Sequence, residues 1–286
     1  MSIASRRTFL KASGAAVAAT CVSAARLEAA PLGLPIGLQL YSVREQLPKD
    51  FNGTLSKVRA AGYTEVEAAG YYDRSALDFR KSMDNAGLSC ISTHHPMAAL
   101  KPRLDELIEY GHTLGLSYIV CPSPMHKDPT ARGPLTLDDW RWTAGELNHI
   151  GEKVNAAGMR FGYHNHTPEF GSEGGVVFYD ELLRLTDPKL VFFEMDCGWV
   201  VAAGRNPVDY LSKTPERFPL LHVKDMSKKA SGGFVSTVMG RGVVDYKPIL
   251  RAATGLKHYF VEQEEFDIEV FEALRLDAEF MRKLSL

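Results

Sequence analysis

The amino-acid sequence predicts a single α/β domain with the architecture of a (β/α)₈ barrel, the TIM barrel. From Pro35 onward, short apolar or β-branched runs alternate with longer segments of helical period, the pattern of repeated βα units. A chain of 286 residues with eight such units and no Gly-x-Gly-x-x-Gly motif fits a closed barrel better than an open doubly wound sheet. The predicted strands are Ile36–Tyr41, Glu65–Ala69, Ser89–Thr93, Tyr118–Cys121, Arg160–Asn165, Leu190–Asp196, Leu220–Lys224 and Tyr259–Gln263.

Helical segments are predicted between the strands, and glycines mark several of their ends. Gly62, Gly87, Gly115 and Gly158 each stand just before a predicted strand, where glycine can take the left-handed conformation that ends a helix. The long connection Met226–Val244 contains four glycines and is interpreted either as a mobile loop over the active site or as an ordinary surface loop. The predicted helices are Phe51–Ala61, Ser75–Ala86, Leu104–Leu114, Leu137–Ala157, Tyr179–Leu185 and Phe266–Leu284.

The N-terminal segment has the layout of an export signal. Paired arginines within Ser5-Arg6-Arg7-Thr8-Phe9-Leu10-Lys11 precede a mildly apolar stretch, Ala12–Cys21, that is too short to span a bilayer. This layout predicts a twin-arginine signal peptide over residues 1–30, cleaved between Ala24 and Pro31, followed by a barrel domain over residues 35–286. The mature protein is therefore expected in the periplasm or the medium, with no integral membrane segment.

Composition excludes some classes of partner. The chain has 33 basic and 35 acidic side chains, a formal net charge of -2 and no long basic run, so it lacks the charge pattern of nucleic-acid binding proteins. After removal of the signal, Cys90, Cys121 and Cys197 form no CxxC pair, which argues against a disulfide framework and a thiolate zinc site. A homo-oligomer is left open.

Polar side chains stand where four consecutive predicted strands end. Strand five ends in Tyr163-His164-Asn165-His166, strand six in Glu194-Met195-Asp196, strand seven in His222-Val223-Lys224-Asp225 and strand eight in Glu262-Gln263-Glu264-Glu265. In a barrel of this type the active site forms at the carboxyl ends of the strands, so these groups are expected to converge. Carboxylate and imidazole ligands suit one divalent ion, Mn²⁺, Mg²⁺, Co²⁺ or Zn²⁺. A polar cluster without a metal is the alternative.

These motifs resemble the sugar phosphate isomerase/epimerase family of xylose isomerase-like TIM barrels, in particular its exported relatives. The resemblance covers nearly the whole mature chain and is carried by Tyr163-His164-Asn165-His166, Asp196-Cys197-Gly198-Trp199, Leu221-His222-Val223-Lys224-Asp225, Gly240-Arg241-Gly242 and Val261-Glu262-Gln263. It implies one divalent ion held by Glu, Asp, His and Glu from strands five to eight. Asp196, His222 and Glu262 match the last three ligands.

The first ligand departs from the family pattern. His164 stands where most relatives have the strand-five glutamate, and the nearest carboxylate is Glu169 in the following loop. We expect Glu169 to be the ligand, with His164 as the alternative. In the epimerases the strand-five and strand-eight glutamates exchange a proton on opposite faces of the substrate, so an imidazole at the first position puts simple two-carboxylate epimerisation in doubt.

The resemblance implies metal-assisted abstraction of a proton next to a carbonyl. The expected catalytic residues are His164, His166 and Glu262 as candidate bases, and Lys224 to neutralise negative charge on the intermediate. The alternative for Lys224 is a structural salt bridge to Asp225 or another carboxylate. Expected substrate contacts come from further polar and aromatic residues near strand ends and from the long connection: Tyr41, Glu67, His95, Trp199 and Arg241.

Three functions follow from these residues. The first is an exported isomerase, epimerase or lyase acting on a keto-sugar or an oxidised glycoside, because isomerisation, epimerisation and β-elimination share the same first proton transfer. The second is a non-catalytic periplasmic sugar-binding protein on the same barrel. The third is phosphodiester hydrolysis, since apurinic-site endonucleases share this barrel, but the near-neutral charge and the export signal oppose it.

Overall fold

The computed structural model describes residues 33–286; the predicted signal peptide, residues 1–30, lies outside the described residues. Its centre is a closed barrel of eight parallel strands, which confirms the predicted fold class. Each barrel strand matches a predicted one to within a few residues. They are β1 (Gly37–Gln39), β2 (Glu65–Ala68), β3 (Ser89–His94), β4 (Tyr118–Cys121), β5 (Arg160–His164), β8 (Val191–Asp196), β9 (Leu220–Val223) and β12 (His258–Val261), and β12 pairs with β1 to close the barrel.

The helices begin and end where local chemistry favours it. The Asp50 side chain accepts a hydrogen bond from the backbone N–H of Gly53 at the start of α1, and Gly62 ends that helix at φ +111°. Short helices α6, α7 and α8 were not predicted because they are only five to seven residues long. The helices are α1 (Phe51–Ala61), α2 (Ala76–Ala86), α3 (Met97–Leu114), α4 (Leu137–Ala156), α5 (Phe178–Leu185), α6 (Cys197–Ala202), α7 (Pro207–Leu211), α8 (Tyr246–Ala252) and α9 (Val270–Lys283).

Alternate residues of each strand face the barrel interior, so successive interior positions form layers. Here one layer is an apolar floor and the next is a polar mouth. Phe192, Leu220 and Phe260 form a buried cluster with Tyr118 and Val120, separate from the larger core between barrel and helices. Two residues further along three of these strands, the interior positions carry Glu194, His222 and Glu262, all buried. Glycine makes room for the floor, because a Cβ on Gly162 would lie 2.3 Å from the Phe192 ring. The floor closes the barrel, so the polar groups open only toward the carboxyl end.

The connection Met226–Val244, predicted as a loop, contains regular structure. It contains the antiparallel hairpin β10 (Asp225–Lys228) and β11 (Phe234–Thr237), and a second short hairpin, β6 (Ser172–Glu173) and β7 (Val176–Val177), follows barrel strand β5. The Asp225 carboxylate accepts hydrogen bonds from the backbone N–H groups of Gly240 and Gly242, at 2.8 and 2.9 Å. These bonds fix the glycine-rich part of the connection. Among the described residues, no helix is long and apolar enough to cross a membrane.

Candidate functional site

Four side chains from four neighbouring barrel strands meet at the mouth. His164, Asp196, His222 and Glu262 each offer one ligand atom, and these atoms all lie within 4.8 Å of one another. The pleat explains the convergence, because these residues are interior positions near the carboxyl ends of β5, β8, β9 and β12. The structure thus brings together three of the four predicted ligands, with His164 as the fourth member of the group.

A second group lies directly below the first and shares two of its imidazoles. His94, His164, Glu194 and His222 also place one ligand atom each within 4.8 Å of one another. Oε2 of Glu194 lies 2.7 Å from Nε2 of His94 and 3.2 Å from Nε2 of His222. Sequence reasoning assigned no role to Glu194. The available signal was its spacing, since it precedes Asp196 by two residues on the same strand and therefore faces the same side.

The two oxygens of Asp196 have different surroundings. Oδ1 accepts the backbone N–H of Trp199 at 3.0 Å and so caps the start of α6. Oδ2 is buried and has no hydrogen-bond partner among the described residues, although Nζ of Lys224 lies 2.9 Å away as an ion pair outside hydrogen-bond geometry. Oε1 of Glu194 is likewise buried without a partner. Unpartnered carboxylate oxygens beside two imidazoles fit a divalent cation.

Charge balance in the group also fits a cation. Within the described part of the chain, one buried lysine, Lys224, contacts the group, through Asp196 and Glu262. The buried carboxylates in and around the group are Glu67, Glu194, Asp196 and Glu262. Burial alone would lower the pKa of His222, but Glu194 and Glu262 outweigh burial and raise it well above its usual value. The excess negative charge that favours a proton on His222 equally favours a bound metal ion.

The structure does not bring Glu169 into the ligand group. Its carboxylate accepts hydrogen bonds from the Tyr163 hydroxyl at 2.6 Å and from the backbone N–H of His166 at 3.0 Å. Burial raises its pKa to about 7. Glu169, the expected first ligand, therefore lies outside the group, and His164, the alternative, occupies the strand-five position in it.

Lys224 binds other carboxylates than the neighbouring Asp225. Its Nζ lies 2.9 Å from Oδ2 of Asp196 and 2.9 Å from Oε2 of Glu262, and it donates a short hydrogen bond to Glu264. The alternative of a structural salt bridge is thus realised with Asp196 and Glu262, both members of the ligand group. Lys224 therefore counterbalances two of the proposed metal ligands.

A cavity of about 370 Å³ opens above the ligand group, and Tyr41, His95, His164, His166 and Glu262 contribute to its lining. Burial, followed by the charge of Lys224, lowers the pKa of His166 to about 4. Burial also lowers the pKa of His95 to about 4, and its Nε2 lies 3.1 Å from the Tyr71 hydroxyl. Neutral imidazoles in the wall can donate to, or accept from, the hydroxyl groups of a sugar.

Three predicted substrate-binding residues lie outside the lining of this cavity. Glu67 is fully buried, where it accepts hydrogen bonds from Gln39 and Ser92 and contacts His222. It therefore supports the cluster from below. The Trp199 ring lies over Nζ of Lys224, at 4.7 Å.

Arg241 is exposed on the connection that Asp225 holds in place. Burial raises the pKa of Asp277 in α9, and the positive charge of Arg241 opposes that rise. Arg241 does not line the cavity above the ligand group, and its contact with substrate stays a prediction. The Gly240-Arg241-Gly242 motif serves the backbone, because both glycine N–H groups bind Asp225.

The closed parallel barrel and the imidazole–carboxylate group at its carboxyl end define a (β/α)₈ protein of the type that builds its active site from strand ends. Residues 55–284 match the model of the xylose isomerase-like TIM barrel family, and the chain belongs to that family. Residues 4–23 match the twin-arginine translocation signal sequence, which confirms the predicted signal for export by that pathway.

Known proteins with similar sequences or structures act on sugars or share the fold. An inosose dehydratase of Clostridium beijerinckii is 26% identical over 233 residues, which cover 70% of this chain and 76% of that protein. A sugar phosphate isomerase/epimerase structure from Parabacteroides distasonis has 30% identity and a TM-score of 0.72, covering 87% of this chain and 98% of the other. A zinc-containing structure of an IOLI protein, at 13% identity and TM-score 0.66 over 86% of this chain and 96% of the other, shares the fold. The chain is therefore related to sugar-modifying enzymes.

Proposed function

We propose that the protein is a metal-dependent enzyme that removes a proton next to the carbonyl of a keto-sugar or an oxidised glycoside. One observation carries the proposal: His164, Asp196, His222 and Glu262 converge within 4.8 Å beside a cavity of about 370 Å³. These four residues would hold one divalent ion, and two imidazoles among four ligands favour a transition metal over Mg²⁺. When bound, a divalent ion would polarise the carbonyl and stabilise negative charge on its oxygen.

His166 is the proposed base. It lines the cavity, and because its pKa is lowered to about 4, its imidazole is neutral at neutral pH and can accept a proton from carbon. Glu262 is less suited to this role because it belongs to the ligand group, where Lys224 and His222 outweigh burial and lower its pKa well below the usual value. Glu262 is instead a ligand, and Lys224 keeps it anionic and in place.

Elimination is the favoured outcome of the proton transfer. The relationship to inosose dehydratases supports it, since dehydration removes a proton next to a carbonyl and then a hydroxyl group on the adjoining carbon. The proton would go to His166, the electron pair of the C–H bond would form the new double bond, and the leaving group would take that proton from His166 and depart as water or an alcohol. Isomerisation and epimerisation begin with the same transfer to His166 and differ in where the proton returns.

The twin-arginine signal supports a place of action outside the cytoplasm, in the periplasm or the medium, after removal of residues 1–30. Phosphorylated sugars are cytoplasmic intermediates, so export favours free keto-sugars and 3-keto-glycosides as substrates. The carbohydrate-processing relatives are consistent with a small-molecule carbohydrate as the partner.

Metal analysis of the mature protein tests the proposal. We expect about one divalent ion per chain in the wild type and loss of that ion in Asp196→Ala and His222→Ala. The exposed Asp138→Ala and His149→Ala are matched controls that should retain it. Chelated protein should lose turnover of 3-keto-glucosides and regain it on addition of Zn²⁺, Co²⁺ or Mn²⁺. A folded wild type that neither carries nor gains metal would refute the catalytic proposal and favour a sugar-binding protein.

A further inference from the structure

A second, larger cavity adjoins the one above the ligand group. Its volume is about 1090 Å³, against about 370 Å³ for the first. It lies between the connection that follows β4 and the segment that follows β5. Pro122, Ser123 and His166 line both cavities, so the two spaces meet at the side chain proposed as the base. A ligand that fills the first cavity therefore has a continuous path into the second.

Three of the polar side chains in the outer cavity, those of His126, Glu169 and Glu173, already have partners in the protein. Nδ1 of His126 lies 3.3 Å from Oδ2 of Asp139, and its Nε2 lies 3.0 Å from the carbonyl oxygen of Gly133. Glu169 accepts hydrogen bonds from Tyr163 and from the backbone of His166. Glu173 accepts one from the backbone N–H of Leu137, at 2.8 Å. The protein thus already uses hydrogen-bonding positions of these three groups.

Apolar side chains provide the remaining surface. Pro122, Pro124, Met125 and Leu135 come from the connection after β4, and Phe178 stands opposite at the start of α5, with its ring stacked 5.6 Å from that of Trp140. The inner cavity differs in chemistry, since its lining includes four imidazoles and two carboxylates, from His94, His95, His164, His166, Glu262 and Glu264. The combined space is polar at the metal-ligand end and apolar at the outer end.

We propose that the outer cavity binds the apolar aglycone of a glycoside whose sugar ring lies over the ligand group. The inference rests on the proposed function, because it places the sugar at the inner end. A cavity of about 370 Å³ holds one sugar ring, and substrates that are free monosaccharides would leave the outer cavity without a role. The substrate class is then an oxidised glycoside with an apolar, ring-bearing aglycone.

The experiment compares two unreactive ligands that lack the carbonyl group, methyl and phenyl β-D-glucopyranoside, by calorimetric titration of the mature protein. Burial of the phenyl ring predicts about tenfold tighter binding of the phenyl glucoside. Leu135→Asp should reduce this preference to below about threefold without changing the affinity for the methyl glucoside, because a carboxylate in the apolar wall opposes the ring. Leu77→Asp, the same change at an exposed position on α2, should leave the preference unchanged.

Met125→Glu, from the same connection as Leu135, gives a second variant should the first not fold. Equal affinities of the wild type for the two glucosides, or an unchanged preference in both wall variants, would overturn the inference. The outcome is separable from that of the proposed function. A protein that turns over 3-keto-glucosides but shows no phenyl preference retains its proposed function and loses the aglycone site. A metal-free, inactive protein that keeps the phenyl preference would retain the aglycone site and lose the proposed function.

Discussion

Oε2 of Glu194 lies 3.1 Å from Nδ1 of His164, on the side of the imidazole that faces away from the barrel mouth. On the other side, Nε2 of His164 is 3.9 Å from Oδ2 of Asp196. His222 is arranged in the same way, with Nε2 toward Glu194 and Nδ1 3.0 Å from Oε2 of Glu262. An anion on this side favours an N–H group on Nδ1 of His164 and on Nε2 of His222, so the opposite nitrogens would be the metal ligands.

This arrangement predicts that Glu194→Gln weakens metal binding without removing a ligand. Loss of the anion releases the orientation and tautomer of His164 and His222, so we expect about a tenfold to hundredfold lower affinity for Zn²⁺. Competition with a chromophoric chelator measures it. Glu181→Gln, at a buried glutamate that pairs with Arg141 and Arg184 away from the mouth, is the matched control. An affinity equal to that of the wild type would show that Glu194 does not position the imidazoles.

The choice of His164 rather than Glu169 as the first metal ligand leads to a second prediction. His164→Ala should lose the divalent ion, whereas Glu169→Gln should keep it, because Glu169 lies outside the ligand group. The amide oxygen can still accept from the backbone of His166, and the amide NH2 group can donate to the Tyr163 hydroxyl. Metal content after dialysis distinguishes the two, with circular dichroism as the check on folding. Loss of metal in Glu169→Gln together with retention in His164→Ala would restore the original assignment.

The Asp225 carboxylate should be essential for the connection between β9 and α8. It accepts four backbone N–H groups, from Met226, Gly240, Gly242 and Val244. Asp225→Ala leaves these donors without a partner and should cost about 3 kcal/mol or more of unfolding free energy, measured with urea. Asp245→Ala removes only the cap that accepts from Lys247 and should cost about 1 kcal/mol. Equal losses in the two variants would contradict the role of Asp225.

Asp277 predicts a pH dependence of stability. Burial raises the pKa of its carboxyl group to about 7, whereas the pKa of an aspartate in the unfolded chain is about 4. Between these values the folded state binds more protons than the unfolded state, so stability falls as pH rises from about 4 to 7. Asp277→Asn removes this titration and keeps an acceptor for the backbone N–H of Met239.

The stability of Asp277→Asn relative to the wild type should therefore increase through this pH range, by an amount on the order of several kcal/mol. Thermal unfolding at pH 4.5, 6 and 8 measures the trend. A constant difference between the two proteins across these values would contradict the raised pKa.

Local patterns in the sequence determined most of the fold. The eight runs that predict strands and the glycine-terminated helices depend on neighbours a few residues away, and all eight strands are observed. The helices α6 to α8 were not predicted because they are too short to show a repeated apolar face. The hairpin in the glycine-rich connection was not predicted, because it and the contacts of Asp225 depend on residues many positions apart.

By itself, the sequence determined the barrel, the export signal and the positions Asp196, His222 and Glu262 at adjacent strand ends, because strand period and strand order follow from local spacing. Only the tertiary structure placed His164 in the ligand group and Glu169 outside it. It also placed Glu67 and Glu194 against the imidazoles and left Arg241 outside the lining of the cavity. Those outcomes depend on where side chains from distant strands meet in the closed barrel. Distances between such atoms are set by packing and hydrogen bonding across the barrel, which no run of neighbouring residues encodes.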